Sequence, residues 1–182
     1  MEGGEFRVTT IEFSAPWGHT VRVRTILWIA VLTAVMLAAF VAPAPLPLTL
    51  LLLGLPPLIF AAALAARVRG YVLAEDAITV RRGVGETRLP LAGLRSVTAQ
   101  ADAMRHWPLV LLGNQGFLSI TGRCWSKRLG WYRAFVTDRS RAVVLRYADR
   151  TILISPHDPQ QFIMRAGTFI RIAGFTGRSS PD

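Results

Sequence analysis

Two unbroken apolar runs stand near the front of the chain, and behind them the pattern changes to short alternating stretches. The first run is Ile26–Ala42, ILWIAVLTAVMLAAFVA, and the second is Leu48–Ala66, LTLLLLGLPPLIFAAALAA. At about 1.5 Å per residue each helix approaches the ~30 Å hydrocarbon core of a bilayer. Between them lies PAPLP, Pro43–Pro47. Proline has no backbone N–H and cannot continue a helix, so this stretch predicts a tight, uncharged turn. Two apolar helices joined so closely must run antiparallel, and both outer ends then emerge on one side.

The flanks indicate which side. Arg22 and Arg24 precede the first run, Arg67 and Arg69 follow the second, and the turn carries no charge. The positive-inside rule places the arginine-bearing ends in the cytoplasm. A cleaved signal peptide ending at Ala42-Pro43-Ala44 fits less well. The preceding segment exceeds twenty residues, carries Glu2, Glu5 and Glu12, and a second run follows at once. A buried soluble helix rarely comes as two such runs in tandem. Pro56-Pro57 is expected to kink the second span rather than split it into a re-entrant element. Neither span holds an ionisable residue, which argues against a carrier or proton pump. Residues 1–25 form a mixed segment at the cytoplasmic face or interface. Trp17 and Trp28 suit an interfacial depth.

From Gly70 the apolar positions come in short runs separated by turn residues. Gly70–Ala74 and Ile78–Arg82 predict a hairpin around Glu75-Asp76-Ala77. Ile78 and Val80 alternate with Thr79 and Arg81, the period of a half-buried strand. Gly83-Val84-Gly85 predicts a turn. Glu86–Leu91, Leu94–Ala99, Phe117–Arg123, Trp131–Thr137, Ala142–Tyr147 and Thr151–Ile154 follow as strands, with 101–116 as a long loop. Asp158 is placed to cap a last helix, with Pro159 at its first position. Phe162, Ile163, Ala166, Phe169 and Ile170 share its apolar face, opposite Gln161, Arg165, Thr168 and Arg171. The expected fold class is therefore a membrane α-hairpin plus a mainly-β domain: an antiparallel β-barrel or sandwich closed by a C-terminal amphipathic helix. The division is 1–25, the hairpin 26–66 (26–42 and 48–66), the β domain 70–172 and a disordered tail 173–182.

Charge sharpens this division. The chain has 182 residues and a formal net charge of +10. Residues 1–66 carry three Arg and three Glu, so the whole excess belongs to residues 67–182. Lys127 is the one lysine. Arginine heads bind phosphates and carboxylates in a planar, bidentate manner. A basic domain held at a membrane points first to anionic lipid headgroups, with nucleic acid a less favoured partner. Cys124 stands alone, so it has no intramolecular disulfide and no recognisable spacing to His19, His106 or His157 that would make it a nucleophile. His106 and His157 lack companions at metal-ligand spacing. Gly83-Val84-Gly85 lacks the third glycine and following helix of a dinucleotide fingerprint, and Gly113-Asn114-Gln115-Gly116 lacks the Lys-Ser/Thr of a P-loop. No catalytic residue, cofactor or metal is expected, and the chain is read as non-enzymatic.

The best binding candidate is RCWSKRLGWYR. Arg123, Lys127, Arg128 and Arg133 there surround Trp125, Trp131 and Tyr132. Cations can hold phosphates while amphipathic aromatics enter an interface. Trp, Tyr and Arg are equally the side chains of protein-docking hot spots. A third possibility is that the aromatics are core and the charges a solvated loop.

Strands closed by one amphipathic helix suggest a pleckstrin-homology (PH)-like domain, and the chain resembles the bacterial PH-domain membrane proteins, which carry two spans before that domain. The resemblance rests on Tyr71-Val72-Leu73 with Ile78-Thr79-Val80-Arg81-Arg82-Gly83, and on Arg88-Leu89-Pro90-Leu91 with Leu94-Arg95-Ser96-Val97. It continues through Gly113-Asn114-Gln115-Gly116-Phe117, Gly122-Arg123-Cys124-Trp125, Leu129-Gly130 and Ile154-Ser155-Pro156-His157-Asp158-Pro159. These are turns and core positions, which specify fold more than activity. Lipid-binding PH domains use basic residues between their first two strands, whereas Ala74-Glu75-Asp76-Ala77 is acidic here. The resemblance implies a bacterial membrane protein with two spans before the domain, and the arginine flanks add the expectation of a multi-pass protein of the cytoplasmic membrane with both termini cytoplasmic. It would act as a scaffold for a protein partner or, alternatively, as a sensor of anionic headgroups.

Overall fold

The computed structural model describes residues 10–41, 44–104 and 109–176. Strand β1, Ile11–Ser14, leads into helices α1, His19–Val41, and α2, Leu46–Ala66. The β domain then runs through β2 (Val68–Leu73), β3 (Ala77–Arg82), β4 (Glu86–Pro90), β5 (Leu94–Ala99), β6 (Leu109–Gln115), β7 (Ile120–Ser126), β8 (Gly130–Val136), β9 (Val143–Tyr147) and β10 (Thr151–Ile154), and ends in α3, Pro159–Thr176.

The two long helices are where the apolar runs predict them, and both are long and apolar enough to cross a membrane. Pro43 of the expected turn lies outside the described residues. The second helix continues through Pro56 and Pro57 without splitting. Ile26, Leu27, Phe40, Leu46 and Leu58 remain exposed on the pair, as side chains facing acyl chains would. The first helix starts earlier than its apolar run. Val21 and Thr25 on its first turns are buried against the β domain.

The strands form two sheets, in the orders β1-β2-β3-β4 and β5-β9-β10-β8-β7-β6. They face each other as a PH-like sandwich and do not close into a barrel. One expectation needs correcting. The β9–β10 hairpin inserts β10 between β9 and β8, and β10 runs parallel to β8 with Ile152 beside Arg133. The sandwich is therefore not wholly antiparallel. The chief core lies between the sheets, where Phe13, Tyr71, Leu73, Ile78, Val80, Phe135, Leu145 and Ile154 meet Phe162, Ala166 and Phe169 of α3. Asp158 caps α3 as predicted, its Oδ1 accepting from the Gln161 N–H at 2.9 Å. The helix reaches Thr176, so Ala173–Thr176, expected in the tail, are helical; 177–182 lie outside the described residues.

The N-terminal stretch with Ile11 and Phe13, open to an extended or an interfacial reading, is extended, and two elements within 101–116 depart from the pattern-based expectation. Ile11–Ser14, in the N-terminal segment, is an edge strand paired with β2, Phe13 opposite Tyr71. Phe13 meets Phe162 edge-on at 5.1 Å. Within the expected 101–116 loop, Ala101–Met104 is a 3-10 turn and Leu109–Gln115 is a strand. Gly113, read as a turn signal, is instead a point of close approach. Its φ is +143°, and a Cβ there would lie 2.0 Å from the Thr121 carbonyl oxygen. Conversely Phe117 and Leu118, expected in a strand, form a loop, and β7 begins at Ile120.

That loop holds the domain to the helices. The Leu118 N–H donates to Thr25 Oγ1 at 2.9 Å. Phe117 packs beside Trp28 and Phe60, with ring centroids 6.3 and 5.8 Å away. On the other sheet, the β3–β4 turn caps the end of α2: Gly83 N–H donates to the Arg67 carbonyl and Val84 N–H to that of Ala65, at 2.8 and 2.9 Å. At the same end the buried Tyr71 hydroxyl donates to the Phe135 carbonyl at 2.6 Å and accepts from the Ser155 N–H at 3.0 Å. Burial pushes its pKa up to about 12.

Candidate functional site

The RCWSKRLGWYR segment folds as a hairpin because it alternates and turns on glycine. Lys127–Leu129 form the turn, the Leu129 N–H donates to Ser126 Oγ at 3.2 Å, and Gly130 adopts φ +66°. A three-residue loop followed by a left-handed glycine is a common hairpin connection. The register sets Arg123 opposite Arg133, Cys124 opposite Tyr132 and Trp125 opposite Trp131. Alternation then sorts the side chains. Cys124 and Tyr132 point into a second core with Val21, Met104 and Val144. Arg123, Trp125, Trp131 and Arg133 share the opposite face.

That face belongs to the interior side of the larger sheet, beyond the area that the smaller sheet covers. An open groove of about 840 Å³ results, lined by Thr87, Arg88 and Leu89 of β4, by Arg123, Trp131 and Arg133, and by Asp149, Arg150 and Thr151. Of the six candidate residues, Arg123, Trp131 and Arg133 come together there. Trp125 pairs with Trp131 but does not line the groove, and Lys127 and Arg128 sit on the exposed turn outside it. Arg88 and Arg150 are additions. Each stands as a single arginine in its own stretch of sequence, and only the groove that β4 and the β9–β10 turn share joins them to the hairpin.

The groove is strongly cationic, with four arginines against Asp149. Arg88 pairs with Asp76. The Arg133 guanidinium lies over the Phe135 ring at 4.9 Å, and that of Arg150 over Tyr147 at 5.0 Å. Among the described residues no carboxylate pairs with Arg123, Arg133 or Arg150. Arg123 and Arg133 oppose each other directly across the strands, a like-charge arrangement that is unfavourable until an anion lies between or beside them.

The groove also stands away from the helices. Strand β8 ends beside the start of α1, where the Gly18 N–H donates to the Thr137 carbonyl at 3.0 Å. The Lys127–Leu129 turn lies at the opposite end of β7 and β8. Six strand steps at about 3.3 Å separate the two ends by about 20 Å. The turn that departs from lipid-binding PH domains, Glu75-Asp76, bonds within the domain: Asp76 holds Arg88, and its carbonyl accepts from the Leu91 N–H at 2.8 Å.

Cys124 is fully buried, and burial pushes its thiol up to about 11. Among the described residues no three His, Cys, Asp or Glu side chains gather to hold a metal ion.

A family profile described as bacterial PH domain matches residues 69–167, more than half of the chain. No curated protein and no solved structure gives a match. The chain belongs to the bacterial PH-domain family, with two apolar helices in front of the domain.

Proposed function

We propose that this bacterial PH-domain protein is a non-catalytic docking module, anchored by its helical hairpin at the cytoplasmic face of the membrane, that offers the arginine-lined groove to a protein partner. The position of the groove carries this reading. Trp131, 62% exposed, stands near the strand end remote from α1, and Arg123 and Arg133 stand midway along β7 and β8 on the same open face. A headgroup site would be better served at the other end, where Gly83–Gly85 and Gly116–Ser119 meet the helices. Aromatic and arginine side chains are also those that carry binding energy at protein interfaces. The arginines flanking the spans support the cytoplasmic placement, and PH domains typically lack catalytic activity.

One observation favours the second reading, a sensor of anionic lipid. Lys127 and Arg128 are exposed on a turn flanked by two tryptophans, and such a tip can enter an interface if the domain leans onto the bilayer. A photo-crosslinking residue placed in turn at Trp131 and at Val84 in native membranes separates the two. Docking predicts protein adducts at 131 that Arg123→Glu with Arg133→Glu removes, and lipid adducts at 84. Lipid adducts at 131 would favour the sensor and defeat the docking module.

A further inference from the structure

Resting on the docking reading, we propose that the groove takes an extended acidic segment of the partner, added as a fifth strand to the free edge of β4. The sheet order ends at β4. Its hydrogen-bond parity follows from the turns on either side. The Arg82 N–H donates to the Gly85 carbonyl, and the Leu91 N–H to the Asp76 carbonyl. With the register Val80 to Thr87 and Ile78 to Leu89, alternation makes Gly85, Thr87, Leu89 and Leu91 the residues bonded inward to β3. Glu86 and Arg88 therefore turn their N–H and C=O groups to the open edge. Pro90 faces the same way, where its missing N–H breaks no ladder bond and stops pairing beyond it. The edge is long enough for one short strand and too short to nucleate an extended sheet.

Three other sheet edges differ from it. Strand β6, at the far side of the larger sheet, sets Gly113 and Asn114 beside Trp28 and Ile59 of the helices. Helix α3 packs against β5, and the four-residue β1 lies on the far side of its sheet. Among the described residues, the edge of β4 borders the cationic cleft. Thr87 and Leu89 line the groove together with Arg123 and Arg133, which face them from the larger sheet. A strand laid along β4 would send alternate side chains into that cleft. Glutamates there would meet Arg123, Arg133 and Arg150 and relieve the like-charge opposition. Main-chain pairing would supply affinity, and the arginines would select acidic side chains.

The test uses the full chain in phosphatidylcholine nanodiscs. The probe is a fluorescein-labelled octapeptide of alternating Glu and Val, compared with an Asp-Gly octapeptide of equal charge. The Glu-Val peptide is expected to bind and to slow hydrogen exchange at Glu86 and Arg88. Binding should weaken about tenfold in Arg123→Gln with Arg133→Gln. It should be lost in Glu86→Pro, which removes an outward N–H, and kept in Glu86→Ala, which removes only the side chain. Equal binding of both peptides, with exchange at β4 unchanged, would overturn strand addition while leaving protein docking in place. No peptide binding, with protein adducts at residue 131 persisting, would overturn the acidic-strand proposal alone. No peptide binding, with arginine-dependent binding to phosphatidylglycerol vesicles, would overturn both.

Discussion

The two ends of the β domain are built on different terms. At the end beside the helices, backbone meets backbone: a Cβ on Gly83 would stand 1.8 Å from the Leu64 carbonyl oxygen, and Leu118 holds a left-handed φ of 67° while bonding Thr25. At the other end the Lys127–Leu129 turn is exposed, and Gly130 has nothing within 4 Å of where its Cβ would be. Close packing at the joint leaves no room for a partner, whereas the proposed docking reading uses the open face between the two ends. The helix-facing end is thus tightly joined, and the remote turn is not.

Substitution at the joint should have the largest effect. Gly83→Ala forces a backbone clash and is expected to cost about 3 kcal/mol or more. Gly130→Ala meets only the strain of a left-handed alanine, about 1 kcal/mol. Thermal unfolding followed by tryptophan fluorescence in detergent compares the two, and equal losses would erase the distinction between the ends. Phe117→Ala comes next. It empties the site between Trp28 and Phe60 and should cost about 3 kcal/mol, whereas Trp131→Ala, at an exposed site, should change stability by about 0.5 kcal/mol or less.

Smaller effects probe the cores behind these ends. Burial raises the Cys124 thiol from 9.0 to about 11. Folding thus favours the neutral thiol; its contribution is whole below pH 9.0 and is lost as pH rises through about 11. Denaturant midpoints should fall across that window, less steeply in Cys124→Ala, and iodoacetamide should label the thiol only after unfolding. The smallest effect belongs to the groove itself. Arg123→Ala removes one of two opposed charges and should leave unliganded stability unchanged or raise it by about 0.3 kcal/mol. A loss of several times that size would mean the arginine is structural, contrary to the docking role.

Much of the architecture was legible because it depends on local rules. Long apolar runs exclude charge for the whole length of a bilayer, so the helices can be read residue by residue. The Asp158-Pro159 cap and the stripe from Phe162 to Ile170 likewise follow from helical period. The strands that were misread involve neighbours far along the chain. Gly113 looks like any turn glycine until Thr121 lies against it. Phe117 and Leu118 look like strand core until Trp28, Phe60 and Ala63 cover them. The N-terminal strand was open to an extended or an interfacial reading, because its four residues are too few for a period to declare itself.

By itself the sequence determined that two apolar helices precede a basic β-rich domain, that a capped amphipathic helix ends it, and that cations and aromatics concentrate between Arg123 and Arg133. These are matters of composition and period, carried by neighbours within a few residues. Only the tertiary structure decided that Arg123, Trp131 and Arg133 face one way and Lys127 and Arg128 another, that Arg88 and Arg150 join them from distant strands, and that the groove opens beside the unpaired edge of β4. Strand register and the packing of one sheet on another set those relations, and both arise from contacts between residues that the linear order keeps far apart.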